Sequence, residues 1–160
     1  AQKVKLPGRL DLRHNVFWSK YKKKFKTLLT DGGHNKDALL ALSEFISSNN
    51  LSPCTLILGM ASDKLSDTLR NPLKKLCRNA DLIILTSAHS PRSATTEMLE
   101  SFLYNSGAME HSPEIKLSVS VEDALEMSLS SPETPVVAAG SFYLAGLVMN
   151  LLGIKYWLNK

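Results

Sequence analysis

Short apolar runs alternate with longer stretches of helical period along most of the chain. FKTLLT (25–30) reads as a strand, and Asn35 has the chemistry to cap a helix over 36–48. In that helix Ala38, Leu42, Phe45 and Ile46 share one face. CTLILGM (54–60) is the next strand, followed by a short helix with Asn71 as its cap and Pro72 in its first turn. That helix turns Leu73, Leu76 and Cys77 inward. DLIILTS (81–87) has almost no alternation, which predicts a central strand covered on both faces.

Ser93 then opens a predicted helix reaching about Asn105, with Ala94, Met98 and Phe102 in register. KLSVS (116–120) reads as a short strand, and Ser120 with Asp123 has capping-box spacing for a helix over 121–129. PVVAAGS (135–141) is a further strand, and Phe142 to Leu152 forms a closing helix stopped by Gly153. Alternation of this kind makes about five β-α units around a mostly parallel sheet. The expectation is one α/β domain over 1–160, a Rossmann-like three-layer sandwich.

Several predicted strands end in small, polar clusters. These are Asp31-Gly32-Gly33-His34-Asn35, Ala61-Ser62-Asp63-Lys64, Ala88-His89-Ser90-Pro91-Arg92 and Gly140-Ser141. In an open parallel sheet the carboxyl ends of the strands form the ligand edge, so the clusters are expected to converge there. Paired glycines let another group approach the backbone, and the free amides of a new helix can seat an anion. Asp31 could accept hydrogen bonds from a ribose or an amine, and His34 could donate to phosphate or carboxylate. Lys64 and Arg92 suit phosphate or carboxylate, with Asp63 placed to orient Lys64. Ser141, where the last strand becomes a helix, suits a carboxylate but would serve equally as a plain cap.

Composition narrows the function. With 44% apolar and 21% charged residues, the chain has the balance of a folded globular domain. No apolar run approaches the roughly 18 residues of a membrane span, so no membrane role is expected. The opening AQKVKLPGRLD lacks the apolar stretch and cleavage site of a secretory signal, and does not read as a natural beginning. Cys54 and Cys77 each lie beside apolar residues, which suggests buried thiols in a reducing compartment. Much of the net charge of +4 sits in KYKKKFK (20–26), read as a solvated loop or edge rather than a nucleic-acid stripe. The four histidines lack metal-ligand spacing, and neither G-x-x-x-x-G-K-[ST] nor G-x-G-x-x-G occurs. The chain therefore offers surfaces for anions without a complete nucleotide cradle.

The order of the motifs resembles one known family. PGRLDL (7–12), TDGGHN (30–35), LILGMASDK (56–64), DLIILTSAHSPRS (81–93) and VVAAGSFYLAG (136–146) follow one another along nearly the whole chain. This is similar to the C-terminal domain of the folylpolyglutamate synthase and dihydrofolate synthase family, within the Mur ligase group. The resemblance implies a two-domain, ATP-dependent ligase that joins L-glutamate to dihydropteroate or a folate through an acyl phosphate. The absent N-terminal domain would carry the phosphate loop, the Mg2+ ligands and most of the pterin site. By that likeness Arg9 reaches the ATP phosphates, Asp31 holds the nucleotide at its ribose, and His34 touches phosphate or incoming glutamate. Lys64 and Ser141 become ligands to the glutamate carboxylates, with Asp63 and Arg92 supporting the same edge. His34 and Lys64 are the catalytic candidates.

The family usually has alanine at the position of Gly33, so glycine here is expected to loosen the turn. The longer segment RHNVFWSKYKKKFK (13–26) is expected to form a hairpin or loop. The resemblance further implies a monomeric intact enzyme in the cytoplasm, or in mitochondria if a transit sequence precedes it. Two other readings stay open: a paralogue of the same fold without ligase activity, and an unrelated module binding anions or nucleic acid.

Overall fold

In the computed structural model, which describes residues 8–155, six strands form one sheet in the order β1-β2-β6-β3-β4-β5. They are β1 (Asp11–Trp18), β2 (Lys23–Asp31), β3 (Cys54–Leu58), β4 (Ala80–Leu85), β5 (Glu114–Leu117) and β6 (Val136–Ala139). Five strands run parallel, and β1 is an antiparallel edge paired only with β2. Helices α1 (Lys36–Ser48), α2 (Arg70–Cys77) and α3 (Thr96–Asn105) cover one face, burying Leu42, Leu73 and Leu103 against Leu56, Ile83 and Val137. Helices α4 (Val121–Ser128) and α5 (Phe142–Leu151) cover the other, with Leu125 and Val148 against Ile57, Ile84 and Ala138. The α/β sandwich with five β-α units is thus the fold that the apolar pattern predicts. Pro7, in the PGRLDL motif, lies outside the described residues.

The segment from Arg13 to Lys26 is a hairpin packed into the domain. Trp18 and Phe25 are buried, their ring centroids 6.1 Å apart, and Tyr21 lies 4.3 Å from Trp18. The basic run is partly neutralised within the fold. Lys20 pairs with Glu122, whose carboxylate also accepts from the Tyr21 hydroxyl at 2.6 Å, and Lys26 pairs with Glu133 at 2.6 Å. Lys22, Lys23 and Lys24 stay exposed.

Four local expectations are corrected. Asn71 lies inside α2 and does not cap it; Leu69 holds the cap position with no side-chain hydrogen bond. Helix α3 begins at Thr96, capped by Thr95, and not at Ser93. The cause is long-range: Ser93 bridges Ala61, and the Ala94 amide donates to the Met60 carbonyl at 2.8 Å, so 93–94 is held extended. Met98 consequently faces outward, 46% exposed, while Leu99 and Leu103 face the core. Strand β5 starts earlier than KLSVS, because Glu114 pairs with Leu82 and Leu117 with Leu85, while the Ser118 hydroxyl and amide both donate to the Leu85 carbonyl.

Both cysteines are free and buried, and desolvation pushes each thiol up to about 12, so they remain protonated core residues. No helix of the described residues is long and apolar enough to cross a membrane.

Trp18→Ala is expected to destabilise the domain by about 3–5 kcal/mol, the usual cost of emptying a buried aromatic site. Urea unfolding followed by far-UV circular dichroism checks it. A loss near zero would mean that the hairpin is an appendage.

Candidate functional site

Register brings the site together. Asp31 pairs with Ala139, Ala139 with Leu58, Leu58 with Leu85, and Leu85 with Leu117. The loops that follow these residues therefore leave the sheet from one edge. The chain leaving β2 and β3 turns to the α1–α3 face, whereas the chain leaving β6 turns to the α4–α5 face. That divergence opens a crevice beside β6.

The crevice is a half-open cavity of about 160 Å³ lined by residues that include His34, Lys64, Arg92 and Ser141. Ser90, Ser93 and the aromatic pair Phe142–Tyr143 complete much of its wall. Its floor requires glycine at 140, where φ is +108° and a Cβ would lie 2.6 Å from the Gly59 carbonyl oxygen.

Asp31 is 2% exposed and does not line the cavity. One carboxylate oxygen accepts from the Gly33 amide at 2.8 Å and the other from the Leu10 amide at 2.9 Å. Both oxygens are thus engaged in holding the turn after β2 and the segment that leads into β1. The Gly32 amide, which donates to the Gly8 carbonyl at 2.5 Å, ties the same two segments. Gly33 is more than a loosened alanine position. A Cβ there would sit 2.5 Å from the Ala38 Cβ and 2.7 Å from the Asp31 carboxylate, so this turn with Ala38 beside it requires glycine.

His34 follows directly. Its Nδ1 lies 3.2 Å from the Gly32 carbonyl oxygen, which can only accept, so Nδ1 carries the proton and a neutral ring offers a lone pair at Nε2. Asn35 caps α1 by accepting from the Ala38 amide at 2.9 Å.

The loop after β3 places Lys64 in a short 3-10 turn over Ser62–Lys64, pairing with no carboxylate among the described residues. Its ammonium lies in the cavity, where a ligand can meet it. Asp63 does not orient Lys64; it binds Arg92, with Nη2 to Oδ2 at 2.7 Å. The pair joins the loops after β3 and β4, which are also zipped by the Ser62 amide donating to the Arg92 carbonyl at 2.8 Å. Ser141 caps α5, its hydroxyl oxygen accepting from the Tyr143 amide at 3.0 Å and the Leu144 amide at 3.4 Å. The hydroxyl proton is thereby left to donate to a ligand oxygen.

Arg9 stands outside the cavity lining, its guanidinium carbon 5.3 Å from the centroid of the Phe142 ring. His89, in a left-handed backbone conformation with φ at 54°, is exposed and does not line the cavity. Ser90, Ser93, Phe142 and Tyr143 are lining residues that the sequence reading missed. The available signal was the aromatic pair directly after a capping serine at the carboxyl end of a strand.

Among the described residues no group of three or more His, Cys, Asp or Glu could hold a metal ion. These residues do not fit Mg2+. They do fit anionic oxygens: Lys64, Arg92 and the Ser141 hydroxyl face one small space.

Comparison with known proteins gives the fold a context. The family model described as dihydrofolate synthetase, C-terminal domain, matches residues 13–151. Among solved structures, Mycobacterium tuberculosis folylpolyglutamate synthase, complexed with ADP and AMPPCP, aligns with a TM-score of 0.71 at 21% identity, covering 95% of this chain and 33% of that one. E. coli FolC in complex with DHPP and ADP gives 0.69 at 22% identity, covering 92% and 31%. The Yersinia pestis bifunctional folylpolyglutamate synthase/dihydrofolate synthase with Mn, AMPPNP and L-glutamate bound gives 0.66 at 23%, covering 95% and 33%. The chain thus spans about a third of the length of these structures. No curated protein sequence matches it significantly.

Two outcomes test this geometry. Asp31→Ala, which strands two amides, is expected to cost about 2–4 kcal/mol in urea unfolding, and Asp31→Asn less because one acceptor survives. The Arg92 guanidinium holds the Asp63 carboxyl below its ordinary range, chiefly through the hydrogen bond between them. A carboxylate depressed in the folded state contributes stability above its unfolded pKa and loses it as pH falls through the folded value. The pair therefore persists at neutral pH and opens only on acidification below the ordinary carboxylate range. NMR titration of Asp63 should show its midpoint rise in Arg92→Gln; an unmoved midpoint would rule the pairing out.

Proposed function

Because the chain belongs to the dihydrofolate synthetase C-terminal domain family, we propose that it is the glutamate-binding, ATP-closing domain of an ATP-dependent amide ligase. The observation that carries this reading is the meeting of His34, Lys64, Arg92 and Ser141 in one cavity of a chain with that family's pattern. The intact protein would join L-glutamate to dihydropteroate or a folate. A substrate carboxylate is activated as an acyl phosphate, the glutamate amine attacks it, phosphate leaves and an amide remains.

The residues divide the work by chemistry. Lys64 and the Ser141 hydroxyl bind carboxylate oxygens of glutamate, with Arg92, steadied by Asp63, on the same edge. His34, with Nδ1 committed to the Gly32 carbonyl, presents Nε2 to the incoming amine and can take the proton that the amine must lose. Arg9 faces the phosphate end of ATP. Asp31 contributes by holding the segment that carries Arg9 and the turn that carries His34. On this reading the Mg2+ ligands and the phosphate loop belong to the protein's own N-terminal domain. Closure of the two domains would exclude water from the reactive phosphate, and the isolated domain is inactive. The intact protein acts as a monomer in the cytoplasm or mitochondria.

The test is ADP release by the intact gene product with ATP, magnesium and L-glutamate, comparing dihydropteroate with tetrahydrofolate. Release that requires glutamate and one pterin is expected. Lys64→Ala and Ser141→Ala should each lower kcat/KM for glutamate by about ten- to a hundredfold, the worth of a hydrogen bond to a charged group. No release with either pterin from folded protein would overturn the ligase reading in favour of a paralogue that only binds.

A further inference from the structure

Phe142 is 47% exposed, yet its ring meets groups from two other segments of the fold. It lies flat against Gly32, where a Cβ would come within 2.3 Å of Cδ1 and 2.6 Å of Cγ. The Arg9 guanidinium lies over the ring at 5.3 Å from its centroid, inside the range of a cation–π contact. The His34 ring meets it edge-on, 77° between planes and 6.1 Å between centroids. Gly8 is also in contact, a Cβ there lying 3.8 Å from the ring.

One ring at the start of α5 therefore touches the segment before β1 and the turn after β2. Asp31 already ties those two at the backbone. What Asp31 does for the main chain, Phe142 does for the side chains.

We infer that Phe142 is a positioning residue that sets the Arg9 guanidinium and the His34 imidazole relative to one another and to Ser141. This deepens the ligase reading and rests on it for the identity of the anion that Arg9 meets. An exposed arginine loses several rotatable bonds' worth of entropy when it binds phosphate. An aromatic face that holds the guanidinium beforehand removes part of that loss, because the quadrupole attracts the cation without using its N–H donors. Leucine would fill much of the same space without a quadrupole, which separates positioning from packing.

Steady-state kinetics on the intact protein provide the test. Phe142→Leu should raise KM for ATP about two- to fivefold, the worth of an exposed cation–π contact, with the unfolding midpoint held and KM for glutamate little moved. Phe142→Tyr should recover most of the loss. In an Arg9→Ala background Phe142→Leu should add nothing further within about twofold. An equal effect of Phe142→Leu with and without Arg9, or equal losses in Phe142→Leu and Phe142→Tyr, would overturn the inference.

If the wild-type protein shows no glutamate-dependent ADP release, the ligase reading fails, and NMR decides the placement by itself. Ring-current displacement of the Arg9 side-chain and His34 ring protons, lost in Phe142→Leu, supports positioning. Its absence in the wild type refutes it.

Discussion

The site depends on one constraint, the common register line on which Asp31, Ala139, Leu58 and Leu85 end their strands. Cooperative hydrogen bonding across a parallel sheet makes a one-residue slip costly, since every side chain would change faces. Here both faces are covered by helices, so a slip would push apolar residues of β3 and β4 into the wrong core. Packing far from the cavity thereby holds four loops within reach of each other. Gly140 then allows the backbone of β6 to close against Gly59, and the floor is complete.

Given that edge, the charges around the cavity differ in whether the fold already engages them. Asp31 is spent on two backbone amides, and Arg92 on Asp63 across two loops. Lys20 and Lys26 of the basic hairpin pair with Glu122 and Glu133. These exposed pairs add little stability, but they decide direction: Arg92 is held over the cavity rim rather than sweeping through solvent. Lys64 has no such partner among the described residues. A cation without an internal counter-ion, beside a serine hydroxyl with its proton free, is a chemical preference for a carboxylate or phosphate oxygen.

How much of this could be read from the residues alone follows the range of the interaction involved. Asn35, Ser120 and Ser141 were legible as caps because each bonds an amide two or three residues away. Strand existence and class were legible because apolar runs of β3, β4 and β6 have no polar face. Ser93 was misread as a helix start because its backbone is claimed by Ala61, from another loop. Asn71 failed as a cap for a different reason: the chain was already helical by Arg70. Asp31 also holds the backbone, and only the third dimension shows Leu10 delivered to its second oxygen. Gly33 read as a mere loosening of the turn until Ala38 was seen against it.

The size of the cavity bears on how such a site can work. About 160 Å³ is below the roughly 300–1,000 Å³ of pockets that enclose a drug-sized ligand. It suits the charged head of a small acid, not a nucleotide and its acceptor together. The remaining polar groups stand on its rim: Arg9 lies outside the lining, and Tyr143 is largely exposed. A wall of this form gains strength when a second surface meets it, since closing out water raises the worth of each Lys64 or Ser141 contact. On the ligase reading that surface carries the phosphates. Glutamate binding and nucleotide enclosure then share one closing surface, with Lys64 and Ser141 on the glutamate side and Arg9, held against Phe142, on the nucleotide side.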